Sequence, residues 1–249
     1  MKFPFLTLFL IFIIILTIRL RSTDGREEKL EEKFWERERK ANFTRKKDIE
    51  NLPYIAYSSA ALPLHEEIED LRVREYIDSL RSLDGKRILN CTGYSNTDLK
   101  LKYGAANITK LSEYDERFTT LVRDSARLAE KYLLYARLKG MENLSSSDGQ
   151  MTEKAYDVSE EAAAELERDA RTLLEYGVEV GSDVRLCYEL LGEMYAGENN
   201  YGGIEKLKEK AGELKSLSSQ PIIRALEEIM NRSLKGQQED IQQPEADRA

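Results

Sequence analysis

The one histidine of the chain, His65, stands directly before Glu66 and Glu67. An imidazole beside carboxylates is the raw material of a metal site or of an acid–base pair working near neutral pH. Zinc takes three or four protein ligands, however, and the chain has no second histidine and no paired cysteines. His65 therefore reads as a solvent-facing residue at the start of a helix. The sequences G-x-S-x-G, G-x-x-x-x-G-K-S/T and G-x-G-x-x-G, which carry nucleophile or phosphate chemistry, do not occur. Carboxylates number 46, so pairs such as Glu160-Glu161 and Glu227-Glu228 are not set apart from solvated helix faces. The residue types point to recognition, with no catalytic residue, cofactor or metal ligand expected.

The elements that would position such residues are helices. Five Pro and 14 Gly in 249 residues are too few for a loop-rich β protein. Apolar residues recur three and four apart without sustained alternation, which predicts an all-α fold. A net charge of −8 and a pI near 5.1 exclude general nucleic-acid affinity, which needs a basic face. Cys91 and Cys187 lie among apolar neighbours, where a thiol packs as a small hydrophobe. Five Asn-x-Ser/Thr sequons occur, at Asn42, Asn90, Asn107, Asn143 and Asn231, against roughly one expected by chance. They indicate glycosylation in a eukaryotic exported chain and nothing in a bacterial one. Asn90 and Asn107 lie in segments that read as buried.

The N-terminus differs in kind. Residues 3–18 (FPFLTLFLIFIIILTI) carry no charge, a length at the lower edge of a spanning helix. Leu20-Arg21-Ser22-Thr23-Asp24-Gly25 offers no small-residue cleavage site, so residues 1–21 read as an uncleaved transmembrane signal-anchor in contact with the lipid bilayer. Lys2 favours export of the chain beyond the anchor, whereas Arg19, Arg21, Arg26, Lys29 and Lys33 favour retention. A single-pass protein of the cell membrane, its globular part on the extracytoplasmic side, is the expectation adopted.

Residues 22–51 alternate charge densely and predict a solvated helical stalk with a thin stripe of Leu30, Phe34 and Ala41. Residues 52–112 predict an extended strap (LPYIAYSSAALPL, 52–64) followed by short helices. One spans about 65–83 with Ile68, Leu71, Ile77 and Leu80 inward, and another starts near Asp98, capped by Asn96 or Thr97. Residues 113–235 predict longer helices. Phe118, Leu121, Val122, Leu128, Ala129, Tyr132, Leu133 and Ala136 form one stripe. Asn143 to Gly149 reads as a flexible loop, Ser159 as a helix start, and Ile222, Leu226 and Ile229 as the stripe of a closing helix. Residues 236–249 predict a disordered tail.

Within 113–235 lies Tyr188-x-x-Leu191-Gly192-x-x-Tyr195. Thirty-four residues before the slots that should come after it stands Ala170-x-x-x-Leu174-x-x-Gly177. The first resembles the first-helix pattern of a tetratricopeptide repeat (TPR), with Tyr in the Trp position, and the second resembles its second-helix pattern in the same register. Leu128-Ala129-x-x-Tyr132 repeats the first-helix pattern, with 29 residues in excess of one period before Leu191. The resemblance implies antiparallel helix hairpins, a fragment of an α-solenoid, that hold another protein. Arg123, Ala126, Glu130 and Leu133 would face a concave groove from one helix, and Leu186, Glu189, Glu193 and Ala196 from the next. Such a groove, mildly acidic over an apolar floor, suits a peptide carrying Lys or Arg. With about one and a half repeats, either residues 52–110 pack into it or the domain associates with a partner.

Residues 41–49 and 95–104 also resemble segments of uncharacterised single-pass membrane-anchored proteins with a repeat-like C-terminal half. That resemblance implies the order of anchor, strap and helical domain, and no activity. The expected function is a membrane-tethered protein-interaction or assembly module. The alternatives are a self-assembling structural protein and a membrane-anchored hydrolase using His65 with acids of the strap.

Overall fold

The structure, a computed structural model, describes residues 4–138 and 159–242. Every regular element among them is helical: α1 (Pro4–Asn42), α2 (Leu71–Arg81), α3 (Asn96–Tyr103), α4 (Ile108–Arg137), α5 (Glu160–Glu179), α6 (Arg185–Gly197), α7 (Tyr201–Glu213) and α8 (Ser219–Gln242). The chain forms two compact units. One comprises residues 1–50 with 94–110, the other residues 51–93 with those from 111 onward.

In the first unit α1 runs 39 residues, about 58 Å at 1.5 Å per residue. Leu8 to Leu16 are each exposed by 42–66%. Among the described residues no helix is long and apolar enough to cross a membrane. The other end of α1 is docked on α3. Ala41 is fully buried, Arg37 bonds Asp98 at 2.5 Å, and Glu38 takes Thr97 Oγ1 at 2.5 Å and the Lys100 ammonium. Ser95 caps α3 in a reciprocal box with Asp98. Gly104, at φ +93°, ends it where a Cβ would lie 2.4 Å from the Arg45 carbonyl oxygen, so no side chain fits. Asn107 is buried and donates Nδ2 to the carbonyls of Lys47 and Tyr103 at 2.7 and 2.8 Å, which ties residues 43–50 down.

In the second unit one core gathers Leu62, Ile68, Val73, Ile77, Leu80 and Ile88 with the apolar stripes of α4 to α8. Short links, 180–184, 198–200 and 214–218, join α5 to α6, α6 to α7 and α7 to α8. α6 packs on α5 and α7, and α8 packs on both α6 and α7. Ser159 caps α5 by accepting from the Ala162 amide, as its position predicts. Tyr188 is buried and its hydroxyl donates to the Ser182 carbonyl at 3.0 Å. Cys187 lies against α5 with Sγ 3.2 Å from the Leu174 carbonyl, and neither cysteine is in a disulfide. Residues 51–93 share the core of α4 and α5, whereas 94–110, expected to pack with them, belong to the unit of α1.

Several local expectations are corrected. The helix predicted over 65–83 begins at Leu71, because Asp70 accepts the Arg72 and Val73 amides and sets the start. That start puts Val73, Ile77 and Leu80 inward and leaves Leu71 72% exposed. α3 is capped by Ser95, upstream of the predicted Asn96 or Thr97. The segment 52–112 is not one region, since 94–110 packs with α1 and 51–93 with α4 and α5. The stalk is docked at its far end because α3 supplies opposite charges some sixty positions away. Of the tail predicted to be disordered from 236, the part up to Gln242 is helical and residues 243–249 lie outside the described residues. The predicted loop Asn143 to Gly149 lies outside the described residues.

Candidate functional site

α6 and α8 approach closely because Gly192 has no side chain. A Cβ there would stand 2.7 Å from Leu226 Cδ2. Along this seam runs an open groove of about 230 Å³, lined by Leu186, Glu189, Leu190 and Glu193 from α6 and Ala225, Glu228, Ile229 and Arg232 from α8. Its volume falls below the several hundred Å³ of sites that enclose whole metabolites. One or two side chains of a docked peptide match it better. Leu186, Glu189 and Glu193, three of the predicted groove residues, are thus brought together, but facing α8. Their acidity is partly answered: Arg185 pairs with Glu189 at 2.7 Å, and Arg137 stands 4.0 Å from Glu193.

On α4 the residues predicted to face the groove have other surroundings. Ala126 and Leu133 are core residues, and Ala196 on α6 is buried too. Arg123 is engaged by Asp124 at 2.8 Å and Glu130 by Arg127 at 2.9 Å. α2 and the residues before it pack on that helix instead. Ser79 donates to Asp124 at 2.6 Å, while Lys131 and the Tyr135 hydroxyl both reach Asp70, at 3.0 and 2.7 Å. Repeat spacing marks the face of α4 that is covered, but not by what.

His65 is the second place where polar groups converge, and it corrects the solvent-facing expectation. Its side chain is 16% exposed, with Nδ1 2.6 Å from Glu67 Oε1 and Nε2 2.6 Å from Asp169 Oδ2 on α5. The ring stands edge-on to Tyr132 of α4, centroids 5.1 Å apart. The Tyr132 hydroxyl accepts the His65 amide at 2.9 Å and donates to the Pro63 carbonyl at 3.2 Å, so one phenol clamps the strap's backbone twice. Burial of the ring opposes its charge, yet the hydrogen bonds to Asp169 and Glu67 and the charges of both outweigh it and hold the pKa above the ordinary 6.5. Burial pushes the Tyr132 phenol up to about 12. The two carboxylates lie at opposite edges of the imidazole, so they do not share a metal with it. Among the described residues no group of three or more His, Cys, Asp or Glu is placed to hold one.

Sequence reasoning missed Asp169 and Asp70. The signal available for Asp169 was its place at the edge of the α5 stripe, beside buried Ala170. Two sequons have structural duties. Asn107 spends its amide on two carbonyls, and Asn90 Nδ2 donates to the Gly181 carbonyl at 3.1 Å.

No protein-family model matches the chain, and no curated protein or solved structure does either.

Proposed function

We propose that the protein is a membrane-tethered protein-interaction module without a catalytic step. In this reading α4 to α8 form a TPR-like stack whose working surface is the α6–α8 groove. The observation that carries it is the apolar strip of half-buried Leu186 and Leu190, floored by buried Ile229, between two helices and rimmed by Glu189, Glu193, Glu228 and Arg232. An apolar anchor flanked by Lys or Arg on a partner peptide would fill the strip and exchange with Arg185 and Arg137 for the rim carboxylates. The buried small residues Ala170, Gly177 and Gly192 at the helix contacts support the stack, since small residues there let helix axes draw close.

The tether in this reading is residues 3–18. Exposed Leu8 to Leu16 form a longer apolar surface than water favours, and a bilayer would cover it. Holding the module at a membrane raises its effective concentration toward partners there. The groove-bearing unit is assigned to the extracytoplasmic side, which a reporter fused to the C-terminus and active on one side of the membrane tests.

A photo-crosslinking residue at Leu190 tests the groove. A discrete adduct is expected in native membranes, lost in Ile229→Arg and absent when the probe sits at Glu209 on the exposed face of α7. An adduct with the purified chain alone, at twice its mass, would make the module self-assembling. No adduct from 190, or equal labelling from 190 and 209, would sink the groove reading.

A further inference from the structure

The His65 cluster serves no part of the groove, yet its geometry places a specific demand on protonation. Each ring nitrogen faces a carboxylate oxygen at 2.6 Å, and a carboxylate only accepts. Both contacts are hydrogen bonds when both nitrogens carry protons, which is the imidazolium form. A neutral ring has one N–H, and its other nitrogen then turns a lone pair toward a carboxylate.

The partners join two parts of the second unit. His65 and Glu67 belong to the strap, and Asp169 belongs to α5, 104 positions on. The groups facing the ring are Glu67 from the strap, Asp169 from α5 and the Tyr132 phenol from α4. Adjacent Glu66 is taken by Arg81 of α2, and Asp70 is taken by Lys131 and Tyr135 of α4. Asp169 is 22% exposed and Glu67 72% exposed. Glu67 can therefore turn to water when the ring loses a proton, whereas Asp169 stays. The Asp169 bond survives with a neutral donor and loses its charge assistance, which weakens it markedly.

We propose that His65 is a proton-operated latch that grips residues 51–70, the strap and the residues leading from it to α2, against α4 and α5 when its ring is doubly protonated and slackens them when the ring is neutral. The proton released goes to solvent past Glu67. Slackening lets Tyr57, Leu62 and Leu64, now packed on the core, move off α4 and α5. A surface-tethered module would thereby respond to the acidity of its compartment through one residue.

Because His65 is the one histidine, its ring signal in a histidine-labelled sample of the full chain in detergent needs no assignment. We expect its titration midpoint above 6.5, falling in Asp169→Asn. Hydrogen exchange of the same sample, corrected for intrinsic rates, should show protection of the Ile55 and His65 amides dropping several-fold from pH 6 to 8.5, since a group with a raised pKa contributes stability that is lost as pH rises through it. The amides of α7 should not change. In His65→Gln the pH step should vanish. A wild-type midpoint at or below 6.5, strap protection constant with pH, or the same step in His65→Gln would each overturn the latch. None of these measurements depends on whether the α6–α8 groove binds a partner.

Discussion

Gly192 on α6 lies under Leu226 on α8 so closely that a Cβ at 192 would stand 2.7 Å from the Leu226 Cδ2 atom. Leu226 is fully buried, so its methyl group has no solvent to retreat into. One missing methyl therefore sets the spacing of the two helices and the depth of the groove beside them.

Gly192→Ala should destabilise the second unit by about 1–3 kcal/mol through overpacking. Urea unfolding measures this. In a double-mutant cycle with Leu226→Ala the added methyl should cost less, because the space it needs is vacated. Additive effects would place the strain elsewhere.

Tyr132→Phe keeps the ring against His65 and removes the hydroxyl that serves the Pro63 carbonyl and the His65 amide. Leaving both unpaired should cost about 1–3 kcal/mol. The loss should be local, with strap amides exchanging faster while those of α6 and α7 hold their rates. Uniform loss of protection would show that the strap does not open separately from the core.

Asp70 caps α2 and also meets Lys131 and Tyr135. Although burial pushes the other way, the bonds from Tyr135, Lys131 and the Arg72 and Val73 amides hold its pKa at about 2, below its ordinary 3.8. A depressed carboxylate pKa contributes stability above 3.8 that is lost as pH falls through about 2. Asp70→Ala should therefore cost about 1–2 kcal/mol at neutral pH. The gap between variant and wild type should narrow from pH 5 to pH 2 in urea midpoints. A gap that stays constant would mean the charge contributes nothing.

Cys187 is 1% exposed, and burial pushes its thiol up to about 12. Thiolate is the reactive form, so alkylation at pH 8 should be slower than that of an unfolded control by orders of magnitude. It should become fast in denaturant. Rapid native labelling would mean that α5 and α6 do not pack at Leu174 as found.

The second unit was largely legible in the sequence, and the reason is local. Leu121, Leu128 and Tyr132, or Ile222, Leu226 and Ile229, recur at the helical period. A core face repeats along one helix whatever covers it. Ser159 announced α5 because a cap acts within three residues. Errors arose where a near neighbour reset the phase. Asp70 moved the start of α2 and turned Leu71 outward, although the apolar spacing alone favoured Leu71 inward.

The candidate sites were less legible. Spacing placed Leu186, Glu189 and Glu193 on one face of α6. That α8 rather than α4 forms the other wall depends on which helices pack together, and periodicity is silent on that. His65 looked solvated because its neighbours in sequence are acids, whereas its environment is made by Tyr132 and Asp169 on two other helices.

By itself the sequence determined an all-helical chain, the positions of its apolar stripes and the uncharged run near its start, because these depend on side chains a few residues apart. Tertiary structure alone decided that α3 docks the end of α1, that residues before α2 cover α4, and that one imidazole lies between two carboxylates. Those contacts join residues tens of positions apart. Their free energy depends on burial and on partners that exist once the chain has closed on itself.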